Sequence, residues 1–85
     1  MAEWYVYVLR CADNSLYTGV ATDTKVRVSV HNTGKGAKYT RGRLPVVLVY
    51  REAVAGRGAA LKREHAIRRM TPAAKRRLIA QGTSD

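Results

Sequence analysis

The sequence predicts an α/β domain of the α+β kind, with a small three-stranded, mainly antiparallel sheet flanked by helices. Short apolar runs near the start are separated by turn residues, a third such run follows a proline, and the last third has helical spacing. With 85 residues the chain has room for one domain with one small core. We therefore expect a single domain over residues 1–85, with its core at about 4–78 and a frayed polar tail at 82–85.

The first two strands form a predicted β-hairpin. Trp4–Arg10 is aromatic and β-branched, and Leu16–Val20 is a second short run of the same character. The residues between them, Ala12 to Ser15, favour a turn. Because side chains alternate along a strand, Tyr5 and Tyr7 are expected on the same face of the first strand.

A third strand and two helices are predicted after the hairpin, from a proline, a stripe of apolar residues at helical spacing and a helix-capping pair. A third strand is expected at Val46–Val54, since Pro45 is tolerated at the start of a strand. Apolar residues recur at helical spacing over Arg57–Met70. The Thr71-Pro72 pair then ends this helix and starts a last one over Pro72–Gln81, because Thr caps helices and Pro fits their first turn.

One segment, Thr22 to His31, allows two interpretations. Its three valines alternate with polar residues, which favours a strand. Thr22 and Asp23 are good helix N-caps, and Asn32 to Gly34 suits a helix exit, which favours a helix. The following loop, Asn32 to Leu44, is rich in Gly, Lys, Arg and Thr and long enough to suggest a function.

The charge balance indicates a polyanionic partner. The formal net charge is +10, and fifteen basic residues but only two acids, Glu52 and Glu64, lie between Lys25 and Arg77. Nucleic acid is favoured over an anionic membrane, since no apolar stretch of spanning length and no signal-peptide core is present. The lone Cys11 cannot form an internal disulfide, which is typical of the reducing cytoplasm.

The hairpin and the residues after it carry a recognisable pattern. Tyr5-Val6-Tyr7 is followed after nine residues by Tyr17-Thr18-Gly19, with Arg27 ten and His31 fourteen residues beyond Tyr17. Together with HNTGKGAKYTRGRLPVVLVY and ALKREHAIRR downstream, this pattern resembles the GIY-YIG nuclease superfamily, and within it a short, single-domain bacterial subgroup. The resemblance covers about residues 4–78 and departs from the family at Tyr5, usually Gly, and at Val26, commonly basic.

The resemblance implies a fold, an activity and a site. It implies a helix over Asp23–Asn32, which decides the ambiguous segment. It also implies a DNA endonuclease that hydrolyses phosphodiesters with one divalent metal ion, Mg²⁺ or Mn²⁺, on branched or damaged DNA in repair or recombination. Five residues would form the site, and they are Tyr7, Tyr17, Arg27, His31 and Glu64.

Glu64 matches the family's metal-binding glutamate. At about 100° per residue it falls at the border of the apolar stripe that contains Ala60 and Ile67, so its carboxylate is expected to point toward the sheet edge. A hard cation such as Mg²⁺ takes carboxylate oxygens and keeps several waters. The alternative is an i,i+4 surface ion pair with Arg68.

The other four residues have expected roles and ordinary alternatives. Arg27 would stabilise charge on the scissile phosphate, and His31, one helical turn later, would accept a proton or orient a tyrosine. Tyr7 is the expected general base, with its pKa lowered by Arg27 and the metal, and Tyr17 would position water or phosphate. The alternatives are solvated surface residues for Arg27 and His31 and half-buried strand aromatics for the tyrosines.

DNA contacts are expected from two basic groups. The loop residues would grip the backbone, with Tyr39 stacking on a base: Lys35, Lys38, Tyr39, Arg41 and Arg43. The C-terminal basic cluster is a second candidate track: Arg68, Arg69, Lys75, Arg76 and Arg77. A non-catalytic nucleic-acid-binding module and an RNA-associated protein remain alternatives, and the sequence leaves open a protein partner that supplies specificity.

Overall fold

The protein forms one antiparallel sheet with helices on both faces. The structure is a computed structural model that describes residues 3–82. Along this part of the chain the elements are β1 Trp4–Arg10, β2 Leu16–Ala21, α1 Thr24–Asn32, α2 Lys38–Arg41, β3 Val47–Val54, α3 Arg57–Arg68 and α4 Pro72–Ala80. The strand order is β2-β1-β3, and both pairings are antiparallel. The predicted three-stranded α+β fold is confirmed.

The central strand β1 separates two clusters of buried residues. Val6 and Val8 pack on one face, with Tyr50, Ala60 and Ile67. Tyr7 and Leu9 pack on the other, and the buried residues around them are Cys11, Ala21 and Val46. The predicted alternation is therefore present, but both faces of β1 are covered, so Tyr7 is only 1% exposed.

Helix α1 confirms the helical interpretation of the ambiguous segment. Asp23 is the N-cap, and its side chain accepts a hydrogen bond from the Val26 backbone N–H at 3.1 Å. The alternation of the valines favours a strand, but in the helix these valines point to different sides and do not form one apolar face. Val28 packs into the core near Tyr7, whereas Val26 is 58% exposed.

The predicted loop Asn32–Leu44 contains an element that the sequence did not predict, the single-turn helix α2. Four residues are too few to show a periodicity, and α2 is held by side chains instead. Asn32 closes the loop, donating to the Val46 carbonyl at 3.0 Å and accepting from the Val46 N–H at 2.8 Å. Because Asn32 takes both backbone groups of Val46, β3 begins one residue later than predicted.

The two C-terminal helices cover the sheet face opposite α1. The predicted start of α4 is confirmed, since Thr71 accepts from the Ala74 N–H at 3.1 Å and Pro72 lies in the first turn. Both α3 and α4 end one or two residues before the predicted ends, Met70 and Gln81. Apart from Gly82, the predicted polar tail at 82–85 lies outside the described residues. No helix within residues 3–82 is long and apolar enough to span a membrane.

Candidate active site

Tyr7 lies at the centre of the site, pressed against the edge strand β2. Its cross-strand partner is Gly19, and a Cβ added to Gly19 would lie 2.5 Å from the Tyr7 hydroxyl oxygen and 2.6 Å from Cζ. No real Cβ approaches that closely, so only glycine leaves room for the phenol at this position. Gly19 therefore lets the Tyr7 side chain lie over the edge strand.

His31 holds the Tyr7 hydroxyl from the opposite side. The ring of His31 is 2% exposed, and its Nε2 lies 3.0 Å from Tyr7 Oη while its Nδ1 lies 2.9 Å from Thr40 Oγ1. The Thr40 hydroxyl donates its one proton to the Ala37 carbonyl at 2.9 Å. Nδ1–H therefore donates to Thr40, and Nε2 accepts from Tyr7. The contact from Ala37 N to Nδ1, at 3.4 Å, is too long to reverse this assignment.

Thr40 and Gly36 are site residues that sequence reasoning missed. Thr40 is fully buried under His31, and a Cβ added to Gly36 would collide with the His31 ring and lie 2.8 Å from its Cα. Both belong to the loop that was assigned only to DNA contacts. Their spacing to His31 carries no motif, so only the fold shows that the loop clamps the imidazole.

Burial sets the protonation of the Tyr7–His31 pair. Burial raises the pKa of Tyr7 well above its ordinary value of 10.0, as do Tyr17 and Glu64, and Arg27 opposes this only in part. Burial, assisted by the Arg27 charge, holds the pKa of His31 below 6.5. Both groups are thus neutral near pH 7. The predicted lowering of the Tyr7 pKa is wrong for the protein alone, because removal from water outweighs Arg27.

Arg27 and Glu64 approach the tyrosines from two different helices. Arg27 is exposed on α1, and its charge lowers the pKa of Tyr7, Tyr17 and His31. Glu64, on α3, has a side chain only 17% exposed, and its charge raises the pKa of both Tyr7 and Tyr17. The structure therefore places Tyr7, Tyr17 and His31 side by side, and Arg27 and Glu64 lie near enough for their charges to act on the tyrosines.

Glu64 also forms the alternative contact predicted for it. Its Oε2 lies 3.0 Å from Arg68 Nη1, and the Arg68 side chain is 66% exposed. An ion pair this open to solvent contributes about 0–1 kcal/mol. Arg68 can therefore leave the carboxylate at little cost when another cation competes for it.

The donor set around Glu64 suits one kind of metal ion. Within residues 3–82, no group of three or more His, Cys, Asp or Glu side chains is placed to hold an ion. One carboxylate beside two phenols is too few ligands for a structural zinc site. It fits Mg²⁺ or Mn²⁺, which keep several waters and are completed by phosphate oxygens.

The predicted DNA-gripping loop is more internally bonded than expected. The Tyr39 ring stacks on the Tyr17 ring, with centroids 6.0 Å apart. Arg43 makes a cation–π contact with the same ring, its Cζ 4.0 Å from the Tyr39 centroid. Arg43 also pairs with Asp13 at 3.0 Å, and Arg41 donates to the Gly36 carbonyl at 3.2 Å. Stacking of Tyr39 on a base would therefore require displacement of its present neighbours. Among the predicted contact residues, Lys35, Lys38 and Arg69 are exposed, and Arg68 is exposed but paired with Glu64.

The depressed pKa of His31 predicts how stability depends on pH. The unfolded chain binds a proton at His31 more readily than the folded chain, so the free energy of unfolding is at its full value above pH 6.5 and falls as pH drops toward the folded pKa. Denaturant titrations between about pH 7.5 and 5 should show this loss in wild type and less of it in His31→Gln. The exposed His65, changed to Gln, is the matched control and should keep the wild-type profile. A loss of the same size in His31→Gln would contradict the assignment.

Comparisons with known proteins show the family and the fold. Residues 3–77 match the GIY-YIG catalytic domain. A UPF0213 protein of Natronomonas pharaonis is 52% identical over 96% of both chains, and one of Staphylococcus haemolyticus is 47% identical over 95% of this chain and 99% of its own. The solution structure of a UPF0213 protein from Bacillus halodurans has a TM-score of 0.60 at 40% identity, covering 93% of this chain and 84% of that one. The solution structure of a protein from E. faecalis has a TM-score of 0.63 at 36% identity, covering 95% and 86%. The chain therefore belongs to the GIY-YIG catalytic domain family, in a group of short proteins that matches it over nearly its full length.

Proposed function

We propose that this protein is a metal-dependent DNA endonuclease of the GIY-YIG type. The observation that carries the proposal is the buried hydrogen bond from Tyr7 Oη to His31 Nε2, 3.0 Å long, at a point where the charges of Arg27 and Glu64 both act. A neutral phenol bonded to a neutral imidazole is a proton path. A strand tyrosine that served packing alone would need neither the imidazole nor Gly19 beside it.

In this mechanism Tyr7 works as a relay and not as a free phenolate. A water gives one proton to Tyr7 Oη while the Tyr7 proton moves to His31 Nε2, and the hydroxide that forms attacks the phosphorus. The bond from phosphorus to the leaving sugar oxygen breaks, and that oxygen departs with the bonding electrons and takes a proton from solvent. The high pKa of Tyr7 makes a standing phenolate unfavourable, so the two proton transfers occur together. Thr40 accepts from Nδ1 and keeps Nε2 aimed at the phenol.

Arg27 and Glu64 stabilise negative charge at the phosphate, the first directly and the second through a metal ion. The Arg27 guanidinium stabilises the negative charge that grows on the non-bridging oxygens as the nucleophile adds. Glu64 would hold Mg²⁺ or Mn²⁺, which when bound supplies positive charge to the phosphate and to the leaving oxygen. Tyr17 lies between Tyr7 and the loop, with its ring centroid 6.4 Å from that of Tyr7, and positions water or phosphate.

Gly19 provides a test of the geometry. In Gly19→Ala the new methyl needs the space of the Tyr7 hydroxyl, so the phenol must move away from His31. Because a shift of about 1 Å in a reacting group can cost 10²-fold, we expect a loss of cleavage of about that size. Gly42→Ala, where nothing lies within 4 Å of the added Cβ, is the matched control. Equal cleavage by the two variants would mean that Tyr7 is not placed for catalysis.

Binding to DNA is expected to be electrostatic and largely independent of sequence. The available basic side chains lie on loops and helix faces, where they meet phosphates and not base edges. Affinity for unrelated duplexes should be similar and should fall steeply as salt rises. A preferred sequence retained at high salt, measured by fluorescence anisotropy, is the result that would contradict this prediction.

The proposed function is tested by cleavage of a panel of DNAs. Purified protein is incubated with labelled linear, flapped and four-way-junction DNA in Mg²⁺, Mn²⁺ or chelator, because family resemblance suggests branched or damaged DNA. Cleavage that requires metal and is lost in Tyr7→Phe would support the proposal. Binding of all DNAs with no cutting in either metal would refute it.

A non-catalytic nucleic-acid-binding module is the second candidate function. The observation in its favour is the Glu64–Arg68 ion pair, which occupies the proposed metal ligand. If the protein only binds nucleic acid, His31→Gln and Tyr7→Phe should leave DNA affinity nearly unchanged. Both side chains are buried, so neither substitution alters the charge on the surface. The cleavage panel separates this candidate from the nuclease.

A further inference from the structure

Three adjacent cavities lie between the active site and the turn end of the β1–β2 hairpin. The first, of about 230 Å³, is bordered by the site residue Tyr17 and by Tyr39, Arg68 and Lys75. Because β2 is the outermost strand, this groove opens at the side of the sheet and is not closed off by another strand. It therefore provides a way out of the site for one strand of a bound polymer.

The second and third cavities adjoin the first. The second shares Leu16 and Lys75 with the first. The third, of about 400 Å³, shares Leu16, Asn14 and Arg76 with the second. Since neighbouring cavities share lining residues, they lie side by side from Tyr17 to the turn end of the β1–β2 hairpin, and we call this row of cavities the path.

The lining of this path is complementary to a single nucleic-acid strand. Among residues 3–82, its lining includes four cations and no acid, and these cations are Arg68, Lys75, Arg76 and Arg10. The third cavity has apolar walls from Leu16, Val49 and Ile79, with Arg10 and Arg76 at its sides and the Asn14 amide beside them. Apolar surface for a base, next to cations for its phosphate, is the combination that binds single strands.

The size of the third cavity agrees with one nucleotide. Its volume of about 400 Å³ lies within the ~300–1,000 Å³ typical of small-molecule pockets. A base inside a duplex is stacked and paired, so it cannot enter a cavity of this kind. The occupant must therefore be unpaired.

We infer that the path from Tyr17 to the hairpin end binds an unpaired DNA arm that extends from the cleavage point, with one base seated in the cavity between Leu16, Val49 and Ile79. The inference rests on the proposed nuclease function and names its substrate class, DNA with a single-stranded arm. It assigns the C-terminal basic residues to separate tasks, since Arg76 lines the path whereas Arg77 lines a different cavity, with Met70, Ala74 and Leu78.

The test compares binding of two DNAs that differ only in the arm. Both are measured in chelator, so that cleavage plays no part: a duplex, and the same duplex with an unpaired arm that carries 2-aminopurine at successive positions. The wild-type protein should bind the armed DNA about tenfold more tightly, the scale expected for one seated base. One 2-aminopurine position should change its emission on binding.

Three variants decide whether the cavity is responsible. Ala80→Phe, at an exposed residue of the cavity wall, should fill the space and abolish both the preference for the arm and the emission change. Arg76→Ala should weaken binding of the armed DNA selectively. Arg77→Ala, an equally exposed neighbour on the same helix, should weaken binding of both DNAs by the same factor and keep the preference.

The outcomes also separate this inference from the proposed function. Equal affinity of the wild type for the two DNAs, an unchanged preference in Ala80→Phe, or the same effect from Arg76→Ala and Arg77→Ala would overturn the arm site. A protein that prefers the arm through this cavity but cuts nothing in Mg²⁺ would support the arm site and refute the nuclease.

Discussion

Glu64→Gln is expected to abolish metal-dependent cleavage while DNA binding in chelator stays equal or becomes tighter. The substitution keeps the size of the side chain and removes the charge that would hold the cation. A carboxylate in so basic a region repels phosphate unless a divalent ion lies between them, so its loss should not weaken metal-free binding. The rate should fall to the uncatalysed background in both Mg²⁺ and Mn²⁺.

The fold should survive this change. Glu64 is paired with Arg68, whose side chain is 66% exposed, and a pair with so exposed a partner contributes about 0–1 kcal/mol to the free energy of unfolding. The matched control is Glu3→Gln, the same change at an exposed acid before β1, which should cut at the wild-type rate. Circular dichroism and a denaturation curve would establish that both variants are folded. Wild-type cleavage by Glu64→Gln would remove the metal site and favour the binding module.

A second consequence follows for the tyrosines. Burial is the main cause of the raised pKa of Tyr7 and Tyr17, and the Glu64 charge adds to it. A cation bound at Glu64 would cancel the part due to that charge and leave the part due to burial. The carboxylate thus connects metal binding to the proton relay.

The strands and helices could be predicted because their signals are local. The bounds of β1 were predicted to the residue, and the Thr71-Pro72 pair marks the start of α4 with a cap and a fixed φ. Helix α1 is different, because by propensity alone its three alternating valines favour a strand more than the Asp23 cap favours a helix. Only the resemblance decided it, because a short amphipathic segment takes its conformation from tertiary packing.

The residues of the candidate site could be predicted from the family resemblance, but their protonation and the residues that support them could not. The resemblance to the family implies Tyr7, Tyr17, Arg27, His31 and Glu64, and in the structure Tyr7, Tyr17 and His31 are neighbours. Their protonation could not be predicted, because the pKa of Tyr7 depends on burial by both faces of the sheet. The support that Thr40 and Gly36 give to His31 was also missed, since it depends on how a loop folds back onto α1.

Arg27→Ala is expected to lower the cleavage rate by about 10²-fold while weakening DNA binding only modestly, because the guanidinium acts mainly on charge that develops in the transition state. Lys25→Ala removes one exposed charge from the same helix and is the matched control. It should reduce affinity about as much as Arg27→Ala and leave the rate nearly unchanged.

The pH profile distinguishes the catalytic role of Arg27 from a simple phosphate contact. Arg27 lowers the pKa of His31, and His31 must be neutral to accept the Tyr7 proton, so the rate falls on the acid side as His31 becomes protonated. Without Arg27 the pKa of His31 rises toward 6.5, and the acid limb of the rate profile should move to higher pH. Lys25→Ala should not move it. Equal losses of rate and affinity with an unmoved acid limb would make Arg27 a phosphate grip that takes no part in the proton relay.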